Sequence, residues 1–175
     1  MDPIARRAAS GNREAMAEIV REHYALVYRF CARRIGPDTA QDAAQETFVT
    51  AHKTIRKFDG RSSLSTWLLG IAHNHCRNLS RKRGSEMTWL GEDEMNAACT
   101  RDIEKTLIDR ELLRVALKGL SPEHREVVLL HEVEGLSYDE AASVIGVPAG
   151  TIKSRLHYAF LQLRKALGGC EEVPA

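Results

Sequence analysis

The chain has 175 residues, 43% of them hydrophobic and 28% charged, with a net charge of +1; this suits a globular protein and excludes a low-hydrophobicity disordered chain. Its longest aliphatic run, Val127 to Leu130, is far short of the roughly 20 apolar residues that cross a membrane, and the N-terminal stretch lacks the apolar centre of a secretory signal. A cytoplasmic location without membrane insertion is the expectation.

Cys31, Cys76, Cys99 and Cys170 are scattered without a CxxC pair, so they read as buried or incidental thiols rather than a disulfide framework. The near-zero net charge hides segregation. Residues 1–83 carry 15 Lys/Arg against 8 Asp/Glu, residues 84–111 carry 3 against 8, and residues 112–175 carry 7 against 8. A basic front, an acidic middle and a near-neutral back imply two folded units joined by a different segment, with a polyanion as a plausible partner.

In the front part, Ile19, His23, Leu26, Val27, Phe30 and Ile35, then Phe48, Val49, Ile55 and Phe58, recur at helical spacing and predict amphipathic helices. "GPD" at Gly36 to Asp38 and "FDGRSS" at Phe58 to Ser63 punctuate them as turns, with Asp or Ser available to cap the following helix. A further helix is predicted from about Leu64 to Arg81, carrying Trp67, Leu68, Ile71, Ala72 and Leu79 and ending in "SRKRG", where basic residues and glycine suit a helix C-terminus. Trp67 reads as core.

Residues 85–103 lose the periodicity and turn acidic, which reads as a linker. Helix resumes at about Glu104 and stops at Gly119; Ser121 and Pro122 then open a helix as N-cap and first residue, ending at Gly135. Ser137 with Glu140 forms a capping box for a short helix that ends at Gly146. No segment alternates as a strand does, so the fold class is all-α: two small helical domains, 1–84 and 104–175, joined by the flexible acidic linker.

The back half has the cadence of a helix-turn-helix: support helix "YDEAASVI", turn "GVP", then a longer helix. Ala141, Ala142 and Ile145 offer the packing surface. Residues 152 to 167 give a stripe of Ile152, Leu156, Ala159, Phe160, Leu163 and Leu167 predicted to face the domain. Thr151, Lys153, Ser154, Arg155 and His157 lie near the N-terminal end, the end that enters a major groove in this motif, where such side chains contact base edges or phosphates. The bland alternative is a solvated face on a helical hairpin.

In the front half, Asp38, Gln41, Asp42, Gln45 and Glu46 share one flank of a helix. A polar acidic stripe is usually solvated, and its composition suits a basic protein surface rather than DNA. The following helix differs, because its short hydroxyls, His, Asn and the cations Arg77, Arg81, Lys82 and Arg83 combine backbone tracking with side chains able to read exposed bases, the chemistry of single-strand capture. "HNHC" brings His73, His75 and Cys76 together, but a metal centre needs three or four converging ligands and no second cluster accompanies it. No metal or cofactor is expected, and no phosphate-cradling loop is present.

Together, "DAAQETFVTAH", "FDGRSSLSTWLLGIAHNHCRNLSRKR" and "LSPEHREVVLLHEVEGLSYDEAASVIGVPAGTIKSRL" resemble the extracytoplasmic-function (ECF) sigma factors, the minimal two-domain promoter-recognition subunits of bacterial RNA polymerase. The resemblance covers nearly the whole chain. It implies that Asp42, Gln45 and Glu46 dock on the clamp helices of the polymerase β′ subunit. It also implies that Phe58, Arg61, Ser62, Ser63, Asn74, Arg77, Arg81, Lys82 and Arg83 bind the −10 element, with Phe58, the loop through Ser63 and Asn74 near an extruded base. Thr151, Lys153, Ser154, Arg155 and His157 then fall where the family reads duplex −35 DNA, and the linker threads toward the RNA exit channel. The resemblance further implies promoter DNA and an anti-sigma factor as partners, and no enzymatic activity of the chain itself.

Two departures matter. Family members often carry basic residues where this chain has Tyr158, Phe160 and Leu161, and an aromatic, commonly Trp, where it has His52. Fewer charges imply a shallower salt dependence from the −35 domain, by roughly one unit of slope per lost phosphate contact. Tyr158 and Leu161 fall near the polar face and suggest contact with an anti-sigma factor or with the front domain. The principal alternative is a conventional helix-turn-helix regulator that grips an operator unaided; a metal-dependent enzyme using His73, His75 and Cys76 is the remote one.

Overall fold

A computed structural model describes residues 2–83 and 110–168. The predicted acidic linker, the predicted helix start at Glu104, Cys99 and Cys170 lie outside the described residues. Among the described residues every regular element is helical, and they form two compact units.

The first unit contains α1 (Pro3–Ala9), α2 (Arg13–Ile35), α3 (Pro37–Thr54), a 3-10 turn (Ile55–Lys57) and α4 (Leu64–Arg83). Asn12 caps α2, its side chain accepting from the Ala15 N–H at 2.9 Å. α2 stops at Gly36, whose φ of 80° only glycine adopts cheaply. Asp38 does not cap α3: Gly36 is the N-cap, Pro37 occupies the first turn, and Asp38 lies inside it, where its carboxylate complements the helix dipole. Ser63 does cap α4, accepting from the Thr66 N–H at 3.0 Å.

α2 packs on α3 and α4. Ile19, Val27 and Phe30 of α2 are buried against the small face of α3 formed by Ala40, Ala43, Ala44 and Ala51. Each large aliphatic or aromatic side chain removed from water contributes roughly 1.5–3 kcal/mol. Val49, by contrast, is 44% exposed, so the apolar periodicity misplaced it in the core. Arg34 is fully buried, its guanidinium 3.4 Å from the Phe30 ring centroid and donating to the Phe30 carbonyl at 3.2 Å.

The second unit contains α5 (Arg110–Lys118), α6 (Pro122–Val128), α8 (Ala149–Ala166) and the start of the short support helix α7 (Tyr138–Ile145). Ser121 caps α6 with Pro122 in its first turn, and the Ser137–Glu140 capping box opens α7, with the Ser137 N–H donating to Glu140 Oε2 at 3.0 Å. α6 continues as a π-helical turn over Leu129–Val133, a widening that periodicity does not reveal. Arg125 links α6 to the end of α5: it donates to the carbonyls of Leu117, Lys118 and Leu120 at 2.9, 2.7 and 3.0 Å. Leu117 also accepts from the Leu120 N–H at 3.2 Å, while the Lys118 carbonyl is one that the end of a helix leaves without an intrahelical partner.

α8 turns Ile152, Leu156, Ala159 and Leu163 into the core, but Phe160 is 43% exposed. The predicted stripe was too wide. At about 100° per residue, Ala159 to Leu156 spans only about 60° of the helix circumference, and Phe160 falls some 40° beyond its edge. Leu167, also assigned to that stripe, is the half-buried C-cap residue.

Candidate nucleic-acid interface

On α3, Asp38, Gln41, Asp42, Gln45 and Glu46 are all exposed, opposite the alanine face buried against α2. The stripe continues through exposed Val49, one turn beyond Gln45 and Glu46. An acidic row with an apolar end is matched by a basic helical surface that also offers an aliphatic contact. Val49 was missed because an apolar residue near Phe48 reads as core.

The loop that follows is anchored rather than open. Phe58, which the resemblance sets beside an extruded base, is 4% exposed, with its ring centroid 5.3 Å from that of half-buried Trp67. Phe58 therefore fixes the loop from below. Gly60 takes a φ of 76°. The Asp59 carboxylate accepts from the Arg61 N–H at 3.0 Å and pairs with Arg61 Nε at 3.2 Å, with both side chains largely in water. An ion pair so exposed is weak and can be exchanged for a phosphate. Ser63 shares its hydroxyl with Ser65 and Thr66, at 2.8 and 2.7 Å, besides capping α4, so it positions the helix start. Ser62 is partly exposed beside it.

Beyond the loop, Asn74, Arg77, Asn78, Arg81 and Lys82 are exposed along one side of α4. Arg83 is the last residue of α4, and its side chain lies outside the described set. Asn78, the second asparagine of this helix, is not among the residues that the resemblance singles out, although its place one turn after Asn74 and one before Arg81 or Lys82 is visible in the spacing. The side toward the core is quite different. His73 is buried; desolvation and then the Arg34 and Arg77 charges hold its pKa down to about 4, so it is neutral at pH 7. The buried Cys31 and Cys76 thiols are hydrogen-bonded to each other, which with the Arg34 charge holds the Cys76 pKa below the ordinary thiol value despite its desolvation.

His75 Nε2 lies 2.9 Å from Thr50 Oγ1, joining α4 to α3. Thus His75 is engaged with Thr50 and Cys76 with Cys31, while His73 is buried. Among the described residues no group of three or more His, Cys, Asp or Glu is placed to hold a metal ion, and no helix is long and apolar enough to cross a membrane.

Between α7 and α8, Gly146 at φ 81° makes the turn and Pro148 precedes α8. Lys153, Ser154 and His157 are exposed, while Thr151 and Arg155 are partly so. The Ser154 hydroxyl donates to the Thr151 carbonyl at 3.0 Å, leaving its oxygen free to accept. The Glu123 carboxyl is held below its usual range, chiefly by its own backbone N–H and then by Ser121, with Arg155 and His124 also contributing against slight desolvation. Arg155 therefore sits toward the start of α6, on a flank of α8. His131 donates from Nδ1 to the Leu136 carbonyl at 2.7 Å, and its ring centroid is 4.9 Å from that of Tyr138; this pins the π-turn to the start of the support helix.

The geometry of both units has counterparts in known proteins. Sigma-70 region 2 matches residues 19–86 and Sigma-70, region 4 matches residues 110–163. The chain is 32% identical over 160 residues to RNA polymerase sigma factor YlaC of Bacillus subtilis, covering 88% of this chain and 92% of that protein. It is 34% identical to ECF RNA polymerase sigma factor SigC of Mycobacterium tuberculosis, covering 87% and 83%. Among solved structures, the sigma factor RpoE in complex with the anti-sigma factor NepR from Bartonella quintana is similar, with a TM-score of 0.64 and 25% identity over 89% of this chain and 98% of that one. Two region matches in their proper order, and relatives aligned over most of their length, mean that the chain belongs to the ECF group of RNA polymerase sigma factors and serves transcription initiation as an alternative sigma factor.

Proposed function

We propose that residues 1–84 bind core polymerase and capture the melted −10 strand, that 85–103 is the connecting linker, and that 104–175 read duplex −35 DNA. Asp42, Gln45 and Glu46, extended by Val49, form the docking row for the clamp helices of β′. The observation that carries the reading is the exposed side of α4, where Asn74, Arg77, Asn78 and Arg81 form a continuous stripe after the anchored loop. Amides there satisfy base edges and guanidinium groups follow phosphates, a combination suited to an unpaired strand.

Arg61 and Ser62 extend that surface along the loop, Phe58 and Ser63 shape it, and Lys82 and Arg83 continue it at the helix end. Thr151, Lys153, Ser154, Arg155 and His157 serve the −35 duplex. Fixing position on the duplex and capturing a flipped base together offset an unpairing cost of a few kcal/mol. The chain works in the cytoplasm, performs no catalysis itself and needs no cofactor, because RNA synthesis resides in the polymerase. Likeness to a sigma factor solved with NepR supports an anti-sigma factor as a further partner.

Run-off transcription by core polymerase plus this chain across genomic fragments tests the reading. Promoter-dependent transcripts are expected, and Asp42→Ala/Gln45→Ala abolishes them. A competent core that yields no such transcript overturns the proposal, and tight operator binding by the free chain favours the conventional regulator instead.

A further inference from the structure

α8 carries its cations in an unusual place for a helix that enters DNA. The buried residues Ile152, Leu156, Ala159 and Leu163 define its inner side. At about 100° per residue, Ser154 and Leu161 lie about 180° from the middle of that side, and His157 and Tyr158 flank them by about 50° each way. Lys153 and Arg155 lie about 90–110° off this outward crest, one on each flank. The next cation near the crest, Lys165, is about 16 Å along the axis from Ser154.

Tyr158 is 57% exposed and Leu161 47% exposed. The Tyr158 ring stands edge-on to His157 with centroids 5.5 Å apart, so the two exposed rings restrain each other. Between Ser154 and Leu161 the crest carries no Arg or Lys and cannot make the bidentate contact that selects guanine, whereas flanking cations suit the phosphate walls of the groove. What the crest does offer is an isobutyl group and an oriented phenol. The apolar group on the floor of a major groove is the thymine C5-methyl.

We infer that Tyr158 and Leu161 are specificity-determining residues, which select thymine within the −35 element by contact with its methyl group. The inference rests on the proposed −35 reading by α8. It assigns these two side chains to DNA rather than to a protein partner, and it makes the loss of basic residues there a change of base preference.

The test uses holoenzyme, a promoter selected by it from duplexes randomised at −35, and copies of that promoter with each −35 thymine replaced in turn by deoxyuridine, which lacks only the methyl. For the natural chain, one or two replacements weaken binding about three- to fivefold, the value of one buried methyl group. Leu161→Ala or Tyr158→Ala weakens binding to the thymine promoter by a similar factor and removes the response to deoxyuridine at the matching position. Both side chains are exposed, so thermal melting of these variants stays unchanged.

The inference is overturned if selection enriches no thymine, or if both variants discriminate thymine from deoxyuridine as the natural chain does, including the case where they lose affinity only for an anti-sigma protein. Lys153→Ala separates the two levels. If it too leaves −35 binding intact and selection enriches no −35 sequence, the −35 reading fails and the inference with it; if Lys153→Ala weakens binding and the Tyr158 and Leu161 variants do not, only the inference fails.

Discussion

The exposed sides of α4 and α8 belong to the same protein and are proposed to meet the same promoter, yet they distribute charge in opposite ways. α4 sets amides and guanidinium groups in one row, Asn74, Arg77, Asn78 and Arg81, while α8 moves Lys153 and Arg155 to its flanks and turns Ser154, Tyr158 and Leu161 outward. A single strand presents phosphates and open base edges together, so recognition groups and cations can alternate along one face. In a duplex, the bases are at the bottom of a groove and the phosphates at its walls, and a helix entering it gains from separating the two kinds of contact.

The largest expected effect tests the α4 side. Asn74→Ala combined with Asn78→Ala removes two base-reading amides, each worth about 1–3 kcal/mol. Promoter opening, followed by permanganate reactivity of unpaired thymines, falls by about 30-fold or more, while −35 binding is retained. Equal loss at both elements would erase the distinction between the two helices.

Stability of the α8 platform comes next. Arg125→Met removes the guanidinium donor from the Leu117, Lys118 and Leu120 carbonyls, of which Leu117 keeps the Leu120 N–H, and lowers the unfolding free energy of the second unit by about 2–4 kcal/mol, read from denaturant melts of the full chain. Unchanged melting would show that Arg125 does not hold α5 to α6.

The first unit has its own acid-sensitive element. The His73 pKa is about 4 in the folded chain against an ordinary 6.5. Above pH 6.5 the ring is neutral in both states and costs nothing; between pH 6.5 and 4 only the unfolded chain takes up the proton, so stability falls as pH falls, by about 3 kcal/mol at most. His73→Gln removes that slope in pH-dependent melts, and an unchanged slope contradicts the assignment. The smallest effect concerns salt: Lys153→Ala removes a flank cation from the phosphate wall and flattens the dependence of −35 binding on salt by about one unit of slope.

Local chemistry was readable in advance wherever it is completed within a few residues. The Ser121–Pro122 start, the Ser137–Glu140 capping box and the glycine turn at Gly146 all form as their spacing dictates. What failed depends on how many neighbours each helix has. Phe160 and Val49 belong to apolar patterns but lie outside the narrow arcs that packing covers. Phe58 looked like a reader because its loop does, and only the position of Trp67 reveals it as an anchor. Buried Arg125 was invisible for a related reason: an arginine becomes structural when carbonyls from another element surround it, whereas Arg34 meets the ring and carbonyl of Phe30 one turn earlier in its own helix.

Site-specific photo-cross-linking in the assembled holoenzyme, with the probe at position 78 on α4 or 157 on α8, tests the division of labour most directly. The account predicts that position 78 labels one promoter strand near −10 only after opening, and that position 157 labels duplex DNA near −35 both before and after it. Labelling of the closed duplex near −10 from position 78, or no labelling near −35 from position 157, would contradict it.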